Sequence, residues 1–294
     1  MTVALVTAAV AQELDWDLPP LVAALEARGM PHEVVHWHDP DVAWDRFALI
    51  VVRSVWDYTR RHDEFVAWCH RAQRAAPLLN TAEILVWSSD KRYLLDLARA
   101  GVPTVETSLA APGEAMAWPD ADEIIVKPAV SAGSLDVARH ARADLDAAEA
   151  HVARLHAAGR TALAQPYLAA IEEARAETEL IFIDRRFTHA VRKAPMLTGG
   201  RAAVGDLYLE EDITPARPTA SELRVAEAAL AAVPGRPEDL LYARVDLVPG
   251  GNGPVVMELE LLEPSLHFPQ GPGAERELAG AIARRLSGRA TGPA

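Results

Sequence analysis

Cysteine is nearly absent, with Cys69 the single one in 294 residues. One thiol excludes an internal disulfide and a thiolate zinc cluster, and it points to a reducing, cytoplasmic setting. Basic residues are scarce as well: 29 Lys and Arg against 42 Asp and Glu give a formal net charge of −13. A surface of that sign repels nucleic acid and anionic lipid, so neither is expected as a partner, and an anionic ligand needs a local basic pocket. No apolar run approaches the roughly 18–20 residues of a membrane span, so none is expected. The opening MTVALVTAAV lacks a basic leader and runs into the acidic stretch Glu13–Asp17, which suits a first strand rather than a signal peptide.

What is present is the composition of a soluble globular chain, 50% hydrophobic and 24% charged, long enough for two or three compact lobes. The first eighty residues alternate strand and helix signals. Thr2–Thr7, His32–Trp37 and Leu49–Ser54 read as strands; Leu21, Val22 and Leu25 behind Pro19-Pro20, and the Arg61–Ala76 segment, read as helices. This βαβ rhythm predicts an α/β lobe, a small parallel sheet with helices on both faces. Ligands of such sheets sit beyond the carboxyl ends of strands, so Arg53-Ser54-Val55-Trp56-Asp57-Tyr58 is a candidate substrate loop. Arg53 is its candidate carboxylate ligand, with Ser54 and Asp57 beside it.

Further along, a helix is expected over Asp90–Ala100, a strand over Glu123–Val130, a helix over Asp144–Ala158 and a strand over Thr161–Leu168. A hairpin follows at Glu177–Ile183 and Phe187–Lys193. Residues 199–212 read as a flexible loop. Thr219 to Glu222 form a capping box for a helix reaching Ala232. A last hairpin has arms Leu241–Val248 and Val255–Leu262, and a closing helix spans 274–286 with a frayed tail from Gly288.

The strongest chemical signal is Arg244-Val245-Asp246 with Glu258-Leu259-Glu260. Side chains alternate along a strand, so a turn centred on Asn252 sets Asp246 across from Glu258 and Arg244 across from Glu260, all on one face. Val245, Leu247, Met257, Leu259 and Leu261 then form the core side. Opposed like charges destabilise a sheet, so three converging carboxylates want a cation, and an oxygen-only set suits Mg²⁺. A solvated polar face with Arg244 neutralising one acid fits the same pattern.

Two lysines stand where an anion would explain them: Lys127 at the end of Ile124-Ile125-Val126, and Lys91 at a helix start, where its charge opposes the dipole. The small residues Ser131, Ala132, Gly133 and Ser134 after Lys127 allow backbone N–H groups near phosphates, although the loop is no Walker motif. A snorkelling lysine explains either position singly. Gln165-Pro166-Tyr167 offers an amide, a carbonyl and an aromatic face that suit a purine, or an ordinary strand end. His189-Ala190-Val191-Arg192-Lys193 supplies more cations on a strand. His189 and His267 neighbour the candidate site, whereas Cys69 falls on the apolar stripe of its helix and is assigned to packing.

Taken in order, Lys91, Val126-Lys127-Pro128, Gln165-Pro166-Tyr167, Glu177, Arg244-x-Asp246 and Glu258-x-Glu260 resemble the ATP-grasp superfamily over residues 80–265. The segments RSVWDY, WSSDKRYL, VKPAVSAG, AQPYL, HAVRKAP and VMELELLEP resemble its O-ureido-D-serine cyclo-ligase (cycloserine synthetase) branch, an antibiotic-biosynthesis function. The resemblance implies a βαβ lobe at 1–82 and two lobes clamping ATP, at 83–163 and 164–294. It implies that Lys91, Lys127, Ser131 and Gly133 meet the ATP phosphates, that Gln165 and Tyr167 frame adenine, and that Glu177, or Glu172 or Glu173, takes the ribose. Asp246, Glu258 and Glu260 would hold two Mg²⁺ ions, and Arg244 and Lys193 would steady the phosphoryl group and the oxyanion. Many superfamily members have Asn where this chain has Glu260. The implied reaction joins carbon to nitrogen through an acyl phosphate on a small amino-acid-like substrate, closing a ring. Joining two separate molecules and acting as an inactive nucleotide-binding regulator are the alternatives, and a homo-oligomer is compatible with the sequence.

Overall fold

The computed structural model describes every residue except 134, 173–176, 195–202, 205–207, 210–211 and 291–294. Ser134, Glu173 and most of the 199–212 segment therefore lie outside the described residues.

The first sheet is built of β1 (Val3–Thr7), β2 (His32–His36), β3 (Leu49–Val52) and a short unexpected β4 (Leu78–Leu79). All pair in parallel, in the order β2-β1-β3-β4. β1 and β3 are buried along their whole length because a helix covers each face. Val3, Leu5, Leu49 and Val51 pack with α1 (Leu18–Glu26). Ala4, Val6, Ile50 and Val52 pack with Phe65, Trp68 and Cys69 of α2 (His62–Ala75).

Two helices follow instead of one, α3 (Ala82–Ser88) and α4 (Tyr93–Arg99). Asp90 explains the late start of α4: its carboxylate accepts from the Arg92 N–H at 2.8 Å, making a local turn. Lys91 thus lies in the turn ahead of the helix, its N–H on the Ala129 carbonyl at 2.9 Å. It does not oppose a helix dipole as the sequence suggested.

The second sheet is antiparallel, with β5 (Ser108–Ala110), β6 (Glu123–Pro128), β7 (Ala138–Ala141) and β8 (Ala162–Pro166) in the order β5-β8-β6-β7. Ile124, Val126, Ala162 and Ala164 on one face pack on α5 (Leu145–Ala157), leaving Ile125, Lys127 and Gln165 on the other.

The third sheet contains β9 (Glu177–Ile183), β10 (Arg186–Lys193), β13 (Ile213–Ala216), β14 (Tyr242–Gly250) and β15 (Gly253–Glu260). Its order is β13-β10-β9-β14-β15, and a separate ribbon pairs β11 (Ala203–Val204) with β12 (Tyr208–Leu209). α6 (Ala220–Ala231), opened by the expected Thr219/Glu222 capping box, covers one face. The last helix, α7 (Ala274–Ala290), runs past Gly288, where fraying was expected. It packs in one core with α1, the first sheet and Ile181, Ile183 and Val191 of the third. The first and last lobes are therefore joined by shared apolar burial, not by a linker.

Candidate active site

The two hairpin arms meet through a β-bulge. Near the turn Gly250 pairs with Gly253 and Leu247 with Val256, but beyond Met257 the register shifts, so Asp246 pairs with Glu258 and Arg244 with Glu260. The side-chain period is two, so this extra residue brings both acids to the face of Asp246. The expected pairing holds, with one correction. Met257 is the bulged residue; it is half-buried and lines the cleft instead of the core. On the other side of β14, Asp246 pairs with Glu179, so three carboxylates stand in one row across three strands.

Cations hold that row together against its repulsion. Lys91 Nζ lies 2.8 Å from Glu258 Oε1, and it donates to the Ser131 carbonyl at 2.6 Å. Lys193 Nζ lies 2.7 Å from Glu179 Oε1 and 3.1 Å from Glu177 Oε1. Arg244 donates to both Asp246 oxygens at 2.9 and 3.0 Å, to Glu260 at 2.5 Å and to the Ser265 carbonyl at 3.3 Å. His267 Nε2 is 2.6 Å from Glu179 Oε2. Among the described residues, Glu177, Glu179 and Asp246 bring carboxylate oxygens within 4.8 Å of one another.

Burial and charge split these groups. Burial opposes the charge of Glu258, but Lys91 and Lys127 outweigh it and hold the carboxyl down to about 2. Burial likewise opposes Glu179, and Arg244, Lys193 and His267 pull it well below the usual range. Burial wins at Glu177, pushed up to about 8, at Asp246, pushed up to about 6, and at Glu260, raised well above its ordinary value. Lys127, buried and without an ion-pair partner among the described residues, is lowered to about 8 by desolvation. The protein's own cations are too few for its carboxylates.

Lys91, Lys127, Glu177, Lys193, Arg244, Glu258, Glu260 and His267 line one cavity of about 710 Å³ between the second and third sheets, with Asp246 and Glu179 buried behind them. Lys127, Gln165 and Ile125 form its wall on the second sheet, with Ser131 and Gly133 in the adjoining loop. Tyr167 lies under the Arg139 guanidinium, 3.7 Å from its ring centroid, and donates to Glu172 at 2.8 Å. Glu172 is thus committed to Arg139 and Tyr167 and does not line the cavity.

The residues expected at the substrate, Arg53, Ser54, Asp57 and His189, lie behind the cavity wall. Arg53 is 1% exposed, donating to the Pro264 carbonyl at 3.1 Å and lying over the Tyr242 ring. Ser54 bonds Thr7 at 2.7 Å, and Asp57 accepts from the Trp37 indole at 2.7 Å. His189 bonds Thr188 at 3.0 Å and packs so tightly on Gly271 that a Cβ there would lie 2.3 Å from its ring. None of the four lines the cavity; Asp17, Trp56, Tyr58, Glu263 and His267 do. Of the residues sequence reasoning missed, Glu179 was legible, since Glu177-x-Glu179 repeats the period of Glu258-x-Glu260. Asp17 carried no motif, and Tyr58 and Glu263 lay within the RSVWDY and VMELELLEP segments without a role of their own.

A lysine-lined wall facing a carboxylate-rich sheet across a cleft is the arrangement of an ATP-grasp ligase. The fold agrees: an ATP-grasp RimK domain protein from Sphaerobacter thermophilus superposes with a TM-score of 0.66 at 20% identity, covering 98% of this chain and 100% of that one. Residues 3–80 match the family model of the D-cycloserine synthetase DcsG N-terminal domain. The cycloserine biosynthesis protein DcsG of Streptomyces lavendulae is 40% identical over 298 residues, 96% of this chain and 98% of the relative. The crystal structure of D-cycloserine synthetase DcsG superposes with a TM-score of 0.87 at 36% identity, covering 97% of this chain and 100% of that one. The chain belongs to the D-cycloserine synthetase family and is an ATP-dependent carbon–nitrogen ligase.

Proposed function

We propose that this protein converts O-ureido-D-serine to D-cycloserine in three lobes, 1–82, 83–163 and 164–294. The carrying observation is the meeting of Lys91, Lys127 and Lys193 with Glu258 and Glu260 around one cavity, with Asp246 buried beside Arg244 behind its wall, in a chain 40% identical along nearly its whole length to a cycloserine biosynthesis protein.

The donor set fits a magnesium–nucleotide complex: all ligands are oxygens, and burial without enough cations raises Glu177, Asp246 and Glu260. Asp246, Glu258 and Glu260 are the residues assigned to two ions. Bound magnesium neutralises charge on the β- and γ-phosphates. Lys91, Lys127, Ser131 and Gly133 receive the phosphates, Gln165 and Tyr167 the adenine, and Glu177 the ribose. The substrate carboxylate attacks the γ-phosphorus and ADP leaves; the oxygen-bound ureido nitrogen attacks the acyl carbon, losing its proton as phosphate departs; water then cleaves the nitrogen–carbamoyl bond, giving the ring N–H and carbamate. Arg244 and Lys193 offset the oxyanion and the transferring phosphoryl group. Arg53, Ser54, Asp57 and His189 act from behind the wall, holding the segments that bear Trp56, Tyr58 and His267. The −13 charge suits a small-molecule enzyme, no helix among the described residues is long and apolar enough to cross a membrane, and a cytoplasmic location belongs to this reading.

The test is ADP release with Mg-ATP against O-ureido-D-serine and a panel of amino-acid pairs, followed by product mass. Formation of a dipeptide, with no ring product from the ureido substrate, overturns the proposal. Glu258→Gln should abolish ADP release while the circular dichroism spectrum is retained; wild-type turnover would remove Glu258 from the site.

A further inference from the structure

One cavity carboxylate stands apart. Of the glutamates lining the cavity, Glu177, Glu258 and Glu260 each have an ion pair, but Glu263 has neither an ion-pair nor a hydrogen-bond partner for its side chain among the described residues. Burial pushes it up to about 7 despite Lys91 and Arg244 nearby. Its backbone, in contrast, is bolted down. The Trp56 indole donates to the Glu263 carbonyl at 3.2 Å, and Arg53 donates to the next carbonyl, that of Pro264, at 3.1 Å. Downstream, the Asp17 carboxylate accepts the N–H groups of Leu266, His267 and Phe268 at 2.5, 3.2 and 2.9 Å. A half-buried carboxylate is thus held in a fixed place with no cation of its own.

Its surroundings select the kind of cation. Trp56 and Tyr58 wall this part of the cavity, and of the neighbouring charges Glu263 acts most strongly on the buried Tyr58 hydroxyl. A lone carboxylate beside aromatic faces suits an organic ammonium, whereas Mg²⁺ demands several oxygens and retains waters. Arg244, which we assign to the acyl oxygen, donates to the Ser265 carbonyl at 3.3 Å, two residues after Glu263, and its charge acts on the Glu263 carboxyl. An α-amino acid carries its ammonium one carbon from its carboxylate, which matches that adjacency.

We propose that Glu263 binds the α-ammonium of the amino-acid substrate and so selects for an α-amino acid. The inference rests on the function proposed above. The ammonium takes no part in bond making and survives in the ring product, so Glu263 contributes equally to ground and transition states. Its loss should raise KM and leave kcat nearly unchanged.

The experiment is steady-state kinetics of full-length Glu263→Gln with Mg-ATP and either O-ureido-D-serine or its des-amino analogue, 3-(ureidooxy)propanoate. Removing a charge-assisted bond should raise KM for O-ureido-D-serine about tenfold or more, with kcat within about threefold and the KM for ATP unchanged. For the des-amino analogue, wild type and variant should have the same KM. Glu263→Asp, which keeps the charge on a shorter arm, should fall between them, and an unchanged KM for ATP reports an intact fold. An unchanged KM for O-ureido-D-serine, or an equal rise for both compounds, overturns the ammonium assignment alone. Wild-type protein that releases no ADP with O-ureido-D-serine overturns the function beneath it instead.

Discussion

Lys127 illustrates how one residue can be placed by sequence and given its chemistry only by the fold. Its position after Ile124-Ile125-Val126 is plain in the sequence. Its desolvation is not, since that depends on Gln165 and the third sheet closing around it. Its amine is lowered from an ordinary 10.5 to about 8, with Glu258 and Glu177 offsetting part of the burial and Lys91 and Lys193 adding to it. The linkage follows directly. The folded protein has released this proton by about pH 8 while the unfolded chain holds it to about 10.5, so this group adds stability as pH rises through that window. Phosphate binding has the opposite preference, because it needs the ammonium. We expect the dissociation constant for Mg-ATP to be flat below about pH 7 and to rise toward tenfold per unit above about pH 8, measured by calorimetry. Lys127→Arg, which stays charged, should flatten that rise. An unaltered slope would detach Lys127 from the phosphates.

At the scale of elements, the site is made by alignment of strands and by clamps between loops. The bulge at Met257 compensates the offset of the Gly250–Gly253 turn, so that the acids of β15 face Asp246. The segment after β15 owes its shape to Asp17 at the start of α1. That carboxylate takes three backbone N–H groups of residues 266–268 and helps hold His267 at φ 50°, a left-handed conformation unusual for a non-glycine residue. Replacing it leaves three donors without their acceptor. Asp17→Ala should lower stability by about 2–4 kcal/mol in urea unfolding. It should also raise KM for the amino-acid substrate more than KM for ATP, since the freed segment carries Glu263 and His267, not the phosphate wall. Equal effects on both constants would show that the clamp serves the whole cavity.

For the whole molecule, the first and last lobes behave as one body. Asn80, fully buried, donates to the Tyr242 and Leu261 carbonyls at 3.0 and 2.6 Å and accepts from the Leu241 N–H at 2.6 Å. Tyr242 returns a bond to the Val52 carbonyl at 2.6 Å, at the carboxyl end of β3. These contacts tie the first sheet to β14, the strand that carries Arg244 and Asp246. Asn80→Ala should therefore cost about 3 kcal/mol or more, because three buried backbone groups of the last lobe, at Leu241, Tyr242 and Leu261, lose their partners. A single cooperative melt should persist at lower temperature. Two separate transitions would mean the lobes are independent, against the shared core of α1, α7 and the two sheets.

By itself the sequence determined whatever obeys local rules. The period of two put Arg244 and Asp246 on one face of their strand and Glu258 and Glu260 on one face of theirs, the capping box opened α6, and the strand–helix alternation specified the parallel first sheet. The ordered lysines and acids carried the resemblance to ATP-grasp ligases. Tertiary structure decided what depends on approach between distant segments. It buried Arg53 against Pro264 and Tyr242 instead of offering it to substrate. It drew Lys91 into the turn before α4 through the Ala129 carbonyl, set Glu179 into the carboxylate row, and left Glu263 unpaired among aromatics. The physical reason is that hydrogen-bond partners and desolvation are set by chain segments tens to hundreds of residues apart, and no local periodicity encodes which of them meet.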